Sequence, residues 1–290
     1  MLGSTFVAGV LLSACFPWHP EASRCSETKI VVAVMNGSDF GSVIPNPIHP
    51  ARIVPVASSV ETHAGILDQL RANPRLGQRL VVKPLSWARS WQSHPDWYDT
   101  RDTLRQPFAE TAQAIAEQLS ALRSGEPCSE AIVLVSSLAG LPSLYLFGAN
   151  MDGGLTSWVR AIVAINSPLA GIRDPIRREA INAMLVACPD CNALEDLLSP
   201  DIVATVERGA KRVDAVLISD IRDAIVPPDS PRNLWRHHLV DSGCELSWAS
   251  LLKNGDTCHS QALRLPETAQ HVVAAIVESP PSWPARRRKL

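Results

Sequence analysis

Runs of hydrophobic residues recur along this chain at intervals typical of strands buried inside a sheet. The first, Lys29 to Met35, is a mostly β-branched apolar run, as expected for a strand covered on both faces. Four further apolar runs predict four further strands, at residues 79–83, 131–135, 159–165 and 213–219.

Hydrophobic residues at helical spacing fill much of the sequence between these runs. The capping-box spacing of Ser58–Glu61 predicts a helix from there to about residue 72. Residues 104–122 have helical periodicity, and Gly125 is placed to end that helix. A last helix is predicted over 266–277. Because strands and helices alternate, we predict an α/β fold with a mostly parallel central sheet and helices on both faces.

Two stretches interrupt this alternation. Residues 84–103 have the character of a loop and contain the aromatic residues Trp87, Trp91, Trp97 and Tyr98. In an open α/β sheet the loops beyond the carboxyl ends of the strands form the ligand crevice, so these rings either line an acyl pocket or cover the edge of the sheet. Residues 170–210 predict short helices around a Cys-Pro-Asp-Cys sequence, that is, a small helical insertion.

The length suits one large α/β domain or two ordinary ones, and no flexible linker divides the chain. The chain has 290 residues, of which 46% are hydrophobic and 19% charged, so a sizeable core can form and wholesale disorder is excluded. The net charge is −2, and four of the basic residues lie together at 286–289. The rest carries no basic cluster that would indicate nucleic-acid binding. The Pro-rich residues 279–290 predict an irregular tail, which leaves a domain over residues 25–278.

The first fifteen residues resemble an export signal. Residues 1–14 carry no charged side chain and are too short to span a bilayer, which needs about 20 apolar residues. They end in Leu-Ser-Ala followed by Cys15, which resembles the bacterial lipoprotein cleavage box, where the cysteine becomes the lipidated first residue. We expect either a periplasmic or cell-surface lipoprotein attached to the membrane through Cys15, or a secreted protein with an ordinary signal peptide.

The segment after the strand at 131–135 has the clearest chemical character. The strand runs directly into Ser136 and Ser137, followed by small residues and an apolar segment able to form a helix. A serine on a sharp strand-to-helix turn exposes its Oγ at the end of the sheet. The same turn places the next backbone N–H at a helix N-terminus, where negative charge is stabilised.

This segment resembles the nucleophile elbow of the α/β-hydrolase lipases and esterases, Gly-X-Ser-X-Gly. In that register Ser137 is the nucleophile, and Ser136 is the alternative. Val135 and Ala139 replace the two flanking glycines, and a further glycine follows at Gly140. The replacement by valine is the larger departure, because small neighbours let the strand and helix backbones approach each other.

Three later segments strengthen the resemblance. The strand at 159–165 ends in an Asn-Ser-Pro turn, like the strand after the nucleophile helix of bacterial lipases. An Asp-X-X-Val-Pro turn begins at Asp223, where this family keeps its catalytic acid. Cys-His-Ser-Gln-Ala-Leu, with His259 second, resembles the segment of the catalytic histidine. The resemblance covers residues 29–278, and it implies the chain order Ser137, Asp223, His259 that this fold requires.

The assignments of the acid and the histidine have alternatives. Asp220 lies three residues before Asp223 and is a second candidate acid. His271 belongs to the last predicted helix and is interpreted as an ordinary helix residue. His237 and His238 are possible metal ligands, but no cysteine or carboxylate accompanies them at the spacing of a zinc site. We expect no cofactor and no metal.

The resemblance also implies an oxyanion hole with two backbone donors. One is the N–H of Leu138, directly after the nucleophile. The other comes from the loop Asn36-Gly37-Ser38, which aligns with the family's His-Gly pair. Within this loop, the backbone N–H of Ser38 is the expected donor. Asn36 stands where the family has histidine. Because the donor is a backbone group, we expect this exchange to be tolerated.

The seven cysteines divide into one possible lipid anchor and six residues that can form three disulfides. The strands that follow Cys25 and Cys128 are parallel neighbours in an α/β-hydrolase sheet, so the resemblance implies that these two cysteines pair. The predicted pairs are Cys25–Cys128, Cys188–Cys191 and Cys244–Cys258. The last pair would hold the loop that carries His259.

The resemblance implies a serine hydrolase that cleaves carboxylic esters, in particular acyl or lipid esters, through an acyl-enzyme. The aromatic loop and a lid-like insertion at 170–210 suit such a substrate by analogy. One alternative is a catalytically silent relative that binds a lipid or protein partner, suggested by the loss of both elbow glycines. The other is an acyltransferase with the same triad. The sequence indicates no oligomeric state.

Overall fold

A computed structural model of the chain describes residues 27–37, 53–89, 91–223, 226, 234–244 and 258–279. The predicted export segment 1–15 with Cys15 lies outside the described residues, as do Cys25, Ser38 and residues 280–290 of the predicted tail. Within the described ranges, no helix has the length and apolar character needed to cross a membrane.

Six of the eight described strands form one parallel sheet. The strands are β1 (Lys29–Met35), β2 (Ile53–Pro55), β3 (Leu80–Pro84), β4 (Trp97–Asp99), β5 (Ser129–Ser136), β6 (Val159–Ile165), β7 (Asp214–Asp220) and β8 (Arg236–Val240). The sheet has the order β3-β1-β5-β6-β7-β8, with every neighbouring pair parallel, and β2 pairs with β4 separately. The predicted parallel sheet is therefore confirmed, while β8 and the β2–β4 pair were not predicted.

Helices connect these strands. Those that the structure describes are α1 (Ser58–Thr62), α2 (Ala64–Ala72), α3 (Asp102–Arg105), α4 (Phe108–Gly125), α5 (Gly140–Gly148), α6 (Pro175–Ala187), α7 (Asn192–Leu198), α8 (Pro200–Ala210), α9 (Cys258–Gln261) and α10 (Pro266–Glu278). The short helices predicted for residues 170–210 are α6, α7 and α8.

Successive residues of β1 pack into two different hydrophobic layers, because side chains alternate across a strand. Val31 and Ala33 join the layer that contains α4 and α5. Ile30 and Val32 join the layer that contains α2 and α10. Helices therefore cover both faces of the sheet, as the unbroken apolar run of β1 predicts.

The prediction of one helix over 58–72, opened by a Ser58–Glu61 capping box, is wrong. Ala57 is the residue before α1, and no side chain caps the helix there. The chain breaks between α1 and α2 at His63, whose backbone leaves helical geometry at φ −97° and ψ 11°. The ring of His63 is buried, and its Nδ1 lies 2.8 Å from the carbonyl oxygen of Ser59. The break between α1 and α2 therefore falls at a histidine whose ring is buried in the folded protein.

The predicted helix over 104–122 is also divided. Residue 104 belongs to the short helix α3, and α4 begins only at Phe108. Pro107 precedes α4, and Gln106 is extended, with ψ 131°. A proline disfavours helical geometry in the residue before it, which is the physical reason for this boundary.

The buried His63 makes stability depend on pH. Desolvation by burial, opposed by the hydrogen bond to Ser59, lowers its pKa from 6.5 to about 4. The unfolded chain therefore binds this proton below about pH 6.5, whereas the native protein binds it only below about pH 4. We expect the free energy of unfolding to fall by up to about 3 kcal/mol from this group as pH decreases across that interval. Denaturant unfolding of the wild type and of His63→Gln measures it; equal pH dependence in both proteins would contradict the prediction.

Two glycines allow α5 and α8 to touch. A Cβ on Gly148 would lie 1.8 Å from the carbonyl oxygen of Thr205, and one on Gly209 would lie 2.0 Å from that of Leu144. We expect Gly209→Ala to destabilise the protein by about 1–3 kcal/mol, because backbone atoms must separate to admit the methyl group. Gly65→Ala in α2 is the matched control, since nothing lies within 4 Å of the added atom. Thermal unfolding should show little change, or a small gain, for that control.

The disulfide predicted between Cys188 and Cys191 is present, in the connection between α6 and α7. Cys128 and Cys244 are disulfide-bonded as well. The strand after Cys128 is the parallel neighbour of β1, as a Cys25–Cys128 bond requires. The pairings of Cys128 with Cys25 and of Cys244 with Cys258 stay predictions.

Candidate active site

The candidate site lies at the carboxyl ends of the central strands, where the strand order of the sheet reverses. After β1, the chain adds β3 on one side and later β5 on the other. Loops that leave neighbouring strands in opposite directions open a crevice, which is the usual ligand position in such sheets. Gly37 follows β1 and Ser137 follows β5, so both lie at this crevice.

Ser137 occupies the strained position of the turn after β5. Its φ is 52°, a left-handed value that is uncommon for any residue except glycine. A 3₁₀ turn over Ser137–Ala139 leads directly into α5. Ser136, the alternative nucleophile, has extended backbone, and its Oγ accepts a hydrogen bond from the N–H of Gly37 at 3.1 Å. Strained backbone of this kind concentrates at functional sites, which favours Ser137 as the reactive serine.

Glycines allow the chain to pack tightly around Ser137. A Cβ on Gly37 would lie 2.2 Å from the Cβ of Ser137, so the loop after β1 touches the serine turn. A Cβ on Gly140 would lie 2.6 Å from the Oγ of Ser167, so the start of α5 lies against the turn after β6. Gly140 thus allows α5 to approach the sheet closely, which is the function that the resemblance assigns to the elbow glycines.

Both residues that replace the elbow glycines fit the core. Val135 is fully buried in β5, between its register partners Met35 and Ala164. Ala139 is also fully buried. Each side chain joins the hydrophobic layer on the α5 face, so the departures from the elbow pattern are absorbed by packing.

His259 and Asp223 meet in the structure although they are 36 residues apart. The Nδ1 of His259 lies 2.6 Å from Oδ2 of Asp223, and the carboxylate is fully buried. The other carboxylate oxygen accepts a hydrogen bond from the N–H of Val226 at 3.0 Å. A carboxylate is an acceptor, so Nδ1 carries the proton and Nε2 presents a lone pair. This is the tautomer that a general base needs.

Asp220, the alternative acid, has a different role. It is the last residue of β7 and is buried. Its Oδ1 accepts hydrogen bonds from the N–H groups of Arg222 and Ser242, at 2.9 and 3.3 Å. Asp220 therefore shapes the turn that presents Asp223, and its carboxylate is not the partner of His259.

Asn166 connects three parts of the site, a role that the sequence patterns did not indicate. Its φ is 48°, and its Nδ2 donates to the carbonyl oxygen of His259 at 2.7 Å. Its Oδ1 accepts from the N–H of Asp220 at 2.8 Å. Ile165, the residue before it, is the register partner of Ser136. The backbone of His259 is thereby held beside the end of β6, next to the strand end that carries Ser137. The sequence does carry one signal for this residue, an asparagine directly after a strand, because asparagine tolerates left-handed backbone.

The structure does not join the serine to the histidine by a hydrogen bond. Nε2 of His259 is buried and has no hydrogen-bond partner among the residues that the structure describes. In structures without substrate such catalytic hydrogen bonds are often long and shorten only in the complex. Of the three predicted catalytic residues, the structure pairs Asp223 with His259, and Asn166 links the backbone of His259 to the strand neighbouring Ser137.

One of the two predicted oxyanion donors is within the described residues. Leu138 lies in the first turn after β5, where a backbone N–H has no partner within its own helix. Ser38 lies outside the described residues. Gly37, the residue before it, lies against the serine turn, and its N–H donates to Ser136 Oγ.

The aromatic stretch 84–103 does not form one pocket wall. Trp87 and Tyr98 are buried in the core, and Tyr98 belongs to the small β2–β4 pair. Trp97 stacks on the ring of His94, with 4.2 Å between ring centroids. The indole Nε1 of Trp87 donates to the carbonyl oxygen of Asn36 at 2.7 Å. Of these rings, Trp87 therefore contacts the candidate site through a hydrogen bond.

The histidines considered as metal ligands point to different partners. Nε2 of His237 lies 3.0 Å from the Oγ of Ser219, whereas His238 stacks on His271. Cys188, Asp190 and Cys191 lie close together, but the two sulfurs are joined in a disulfide and offer no thiolates. Neither cluster resembles a metal site.

No protein-family model and no curated protein matches the chain. Among solved structures, Aspergillus fumigatus lipase B matches 90% of this chain and 55% of its own, with 15% identity and a TM-score of 0.51. This chain thus spans about half the length of that lipase. A Paleococcus ferrophilus monoacylglycerol lipase matches over 87% of this chain and 95% of its own, with 13% identity and a TM-score of 0.44. Together with the parallel sheet, the match to lipase B shows that this chain has the α/β-hydrolase fold.

Proposed function

We propose that this protein is a serine hydrolase that cleaves carboxylic esters, in particular acyl or lipid esters, with Ser137, His259 and Asp223 as its catalytic residues. The observation that carries the proposal is the hydrogen bond of His259 with the buried Asp223, while Asn166 holds the backbone of His259 at the strand end next to that of Ser137. A serine hydroxyl is a weak nucleophile at neutral pH and needs such an oriented base. The fold of the solved lipases gives further support.

The first half of the reaction forms an acyl-enzyme. Ser137 Oγ bonds to the carbonyl carbon of the ester while its proton moves to Nε2 of His259. Asp223 holds the imidazole through Nδ1 and stabilises the imidazolium that forms. The carbonyl oxygen takes up negative charge, and the N–H groups of Leu138 and Ser38 are the proposed donors to it. His259 then returns the proton to the alcohol oxygen as the carbon–oxygen bond breaks.

The second half releases the acid. Water attacks the acyl carbon and gives a proton to His259, and the proton then passes to Ser137 as its bond to the acyl group breaks. If an alcohol or a glycan hydroxyl takes the place of water, the same residues perform acyl transfer. Product analysis with such an acceptor present separates hydrolysis from transfer.

The test of the proposal combines a substrate series with a covalent probe. We expect the purified protein to hydrolyse nitrophenyl esters of increasing acyl length, and the preferred length identifies the acyl group. We also expect a fluorophosphonate to attach to Ser137, with loss of fluoride, and peptide mass spectrometry locates the adduct. A wild-type protein that neither hydrolyses these esters nor takes up the probe would contradict the proposal and favour the alternative of a catalytically silent relative.

We also propose that the protein is exported, with Cys15 as its lipid anchor. Four described cysteines are disulfide-bonded: Cys128, Cys188, Cys191 and Cys244. Disulfides are rare in reducing compartments, so these bonds support export to an oxidising compartment. Mass spectrometry of the mature amino terminus tests the anchor. A diacylglyceryl adduct on Cys15 is the expected result, and a mature chain that begins elsewhere without lipid would contradict it.

A further inference from the structure

The chain leaves β6 through an asparagine whose backbone is fixed by the sheet. Asn166 follows β6 directly, and its N–H donates to the carbonyl oxygen of Ile218 at 2.8 Å, which extends the contact with β7 by one residue. Its φ of 48° turns the chain away from the strand direction. The residue is 1% exposed. The amide of Asn166 therefore starts from a fixed backbone and lies inside the protein.

This amide is bonded to the backbone of both segments that carry the acid and the base. Nδ2 donates to the carbonyl oxygen of His259 at 2.7 Å, and Oδ1 accepts from the N–H of Asp220 at 2.8 Å. Asp220 begins the turn that carries Asp223, because its carbonyl oxygen accepts from the N–H of Asp223 at 3.1 Å. One side chain thus joins the base and the turn of the acid to the same strand end.

We propose that Asn166 is a positioning residue of the catalytic pair, which sets the hydrogen bond between His259 and Asp223 by holding the backbone on both sides of it. This inference rests on the proposed function. His259 lies in α9, which has four residues. A helix this short is not stable on its own, since isolated helices below about 12 residues are marginal in water. The place of His259 therefore depends on contacts with the rest of the protein, and the bond from Asn166 is one of them.

The bonds of the Asp220 carboxylate shape the turn after β7 without reaching the backbone of His259. Oδ1 of Asp220 accepts from the N–H groups of Arg222 and Ser242. The amide of Asn166 differs from these bonds because it joins the turn to the segment of the base.

The residue type matches what each of its neighbours needs. A carbonyl oxygen needs a donor, a backbone N–H needs an acceptor, and the amide of asparagine offers both. Asparagine also tolerates left-handed backbone better than most residues. An ionised aspartate would present an acceptor to the carbonyl oxygen of His259, and a glycine would keep the backbone alone. These differences define the variants that test the proposal.

The main test is Asn166→Gly, which keeps the left-handed backbone at no steric cost and removes the amide. We expect kcat for a nitrophenyl ester to fall about 10- to 100-fold, because misplacing a catalytic group by about 1 Å can cost about 10²-fold. KM should change less than about threefold, since the amide is buried and bonded to backbone groups of the protein itself.

A second readout follows the catalytic pair directly. The proton that Nδ1 of His259 donates to Asp223 should give a low-field resonance in the proton NMR spectrum of the wild type, assigned by its absence in Asp223→Asn. We expect this resonance to weaken or move upfield in Asn166→Gly, because the hydrogen bond lengthens when the two backbone segments are released. The measurement needs no turnover.

Asn150→Gly is the matched control. Asn150 also has left-handed backbone, with φ 58°, and its Oδ1 accepts a hydrogen bond from Arg212. It follows α5, whose nine residues separate it from the serine turn by roughly 13 Å at about 1.5 Å per residue. We expect its kcat to stay within about twofold of the wild type. The resonance of His259 should be unchanged, and thermal unfolding compares the stability of the two glycine variants.

Asn166→Asp separates the two bonds of the amide, and its similar shape makes it the substitute if Asn166→Gly does not fold. Its carboxylate can still accept from the N–H of Asp220. At alkaline pH it has no proton to donate to the carbonyl oxygen of His259. We therefore expect kcat at alkaline pH to be at least about tenfold below that of the wild type.

Four outcomes would overturn the inference. Equal kcat in Asn166→Gly and Asn150→Gly, or an unchanged resonance of His259 in Asn166→Gly, would show that the pair forms without the amide. A raised KM with unchanged kcat would make Asn166 a substrate-binding residue instead. Wild-type kcat in Asn166→Asp at alkaline pH would show that the bond to His259 has no role. If the proposed function itself fails, the wild type hydrolyses no ester, and the resonance still reports whether Asn166 positions the pair.

Discussion

Replacing Ser137 by alanine is expected to lower kcat for ester hydrolysis by at least about 10⁴-fold and to abolish fluorophosphonate labelling. The size follows from the role, because losing the nucleophile of such a triad leaves only the catalysis supplied by the oxyanion hole and binding. Alanine keeps the Cβ of serine, so the left-handed backbone at φ 52° is no more strained than before. Steady-state rates on a nitrophenyl ester and mass spectrometry of the labelled protein measure both effects.

Ser136→Ala is the control for this substitution. Ser136 is the neighbouring residue and also buried, but its hydroxyl is bonded to Gly37 N–H. This variant should still be labelled on Ser137, with a rate lowered by no more than about tenfold, well below the loss expected for the nucleophile. Labelling that survives in Ser137→Ala and disappears in Ser136→Ala would reverse the assignment.

The second large effect is expected for Asp223→Asn, with a fall in kcat of about 10⁴-fold. The amide can donate a hydrogen bond to Nδ1 of His259, which would then carry the lone pair while Nε2 carries the proton. In that tautomer His259 cannot accept the proton of Ser137. The residual rate should rise with pH as hydroxide replaces the missing base. A rate–pH profile of the wild type and the variant measures this difference.

Asp220→Asn tests whether the effect belongs to the carboxylate that touches His259. Asp220 is equally buried and lies three residues earlier, and an amide oxygen can still accept the hydrogen bonds of Arg222 and Ser242. We expect it to lose less than about tenfold in kcat, as for a group that only shapes a turn. A greater loss in Asp220→Asn than in Asp223→Asn would make Asp220 the acid.

Much of the sheet could be predicted because local pattern and burial agree there. β1 was predicted at its observed bounds, since a run of β-branched residues suits a strand covered on both faces. β8 was missed because its five residues include an arginine and two histidines, which leave no apolar run, and Val240 alone among them is buried. The break at His63 was missed because burial of its ring is a property of the folded protein that the local residue pattern does not show.

The candidate site divides in the same way. A serine pair at the end of an apolar strand is visible locally, and so are the later aspartate and histidine. Which serine is strained is a property of the backbone, and the 2.6 Å contact between His259 and Asp223 requires a loop after β7 to meet α9. Asn166 makes two side-chain hydrogen bonds to backbone groups and Trp87 makes one, and no residue pattern encodes these contacts.

By itself, then, the sequence determined an α/β chain whose strands end in a serine, an asparagine and an aspartate, because strand burial and turn chemistry are local. The tertiary structure alone decided that Asp223 rather than Asp220 meets His259, that Ser137 rather than Ser136 takes the left-handed turn, and that the Trp87 indole donates to the carbonyl oxygen of Asn36. These choices depend on a few ångströms between residues far apart in the chain, and only packing of the complete sheet and its helices sets such distances.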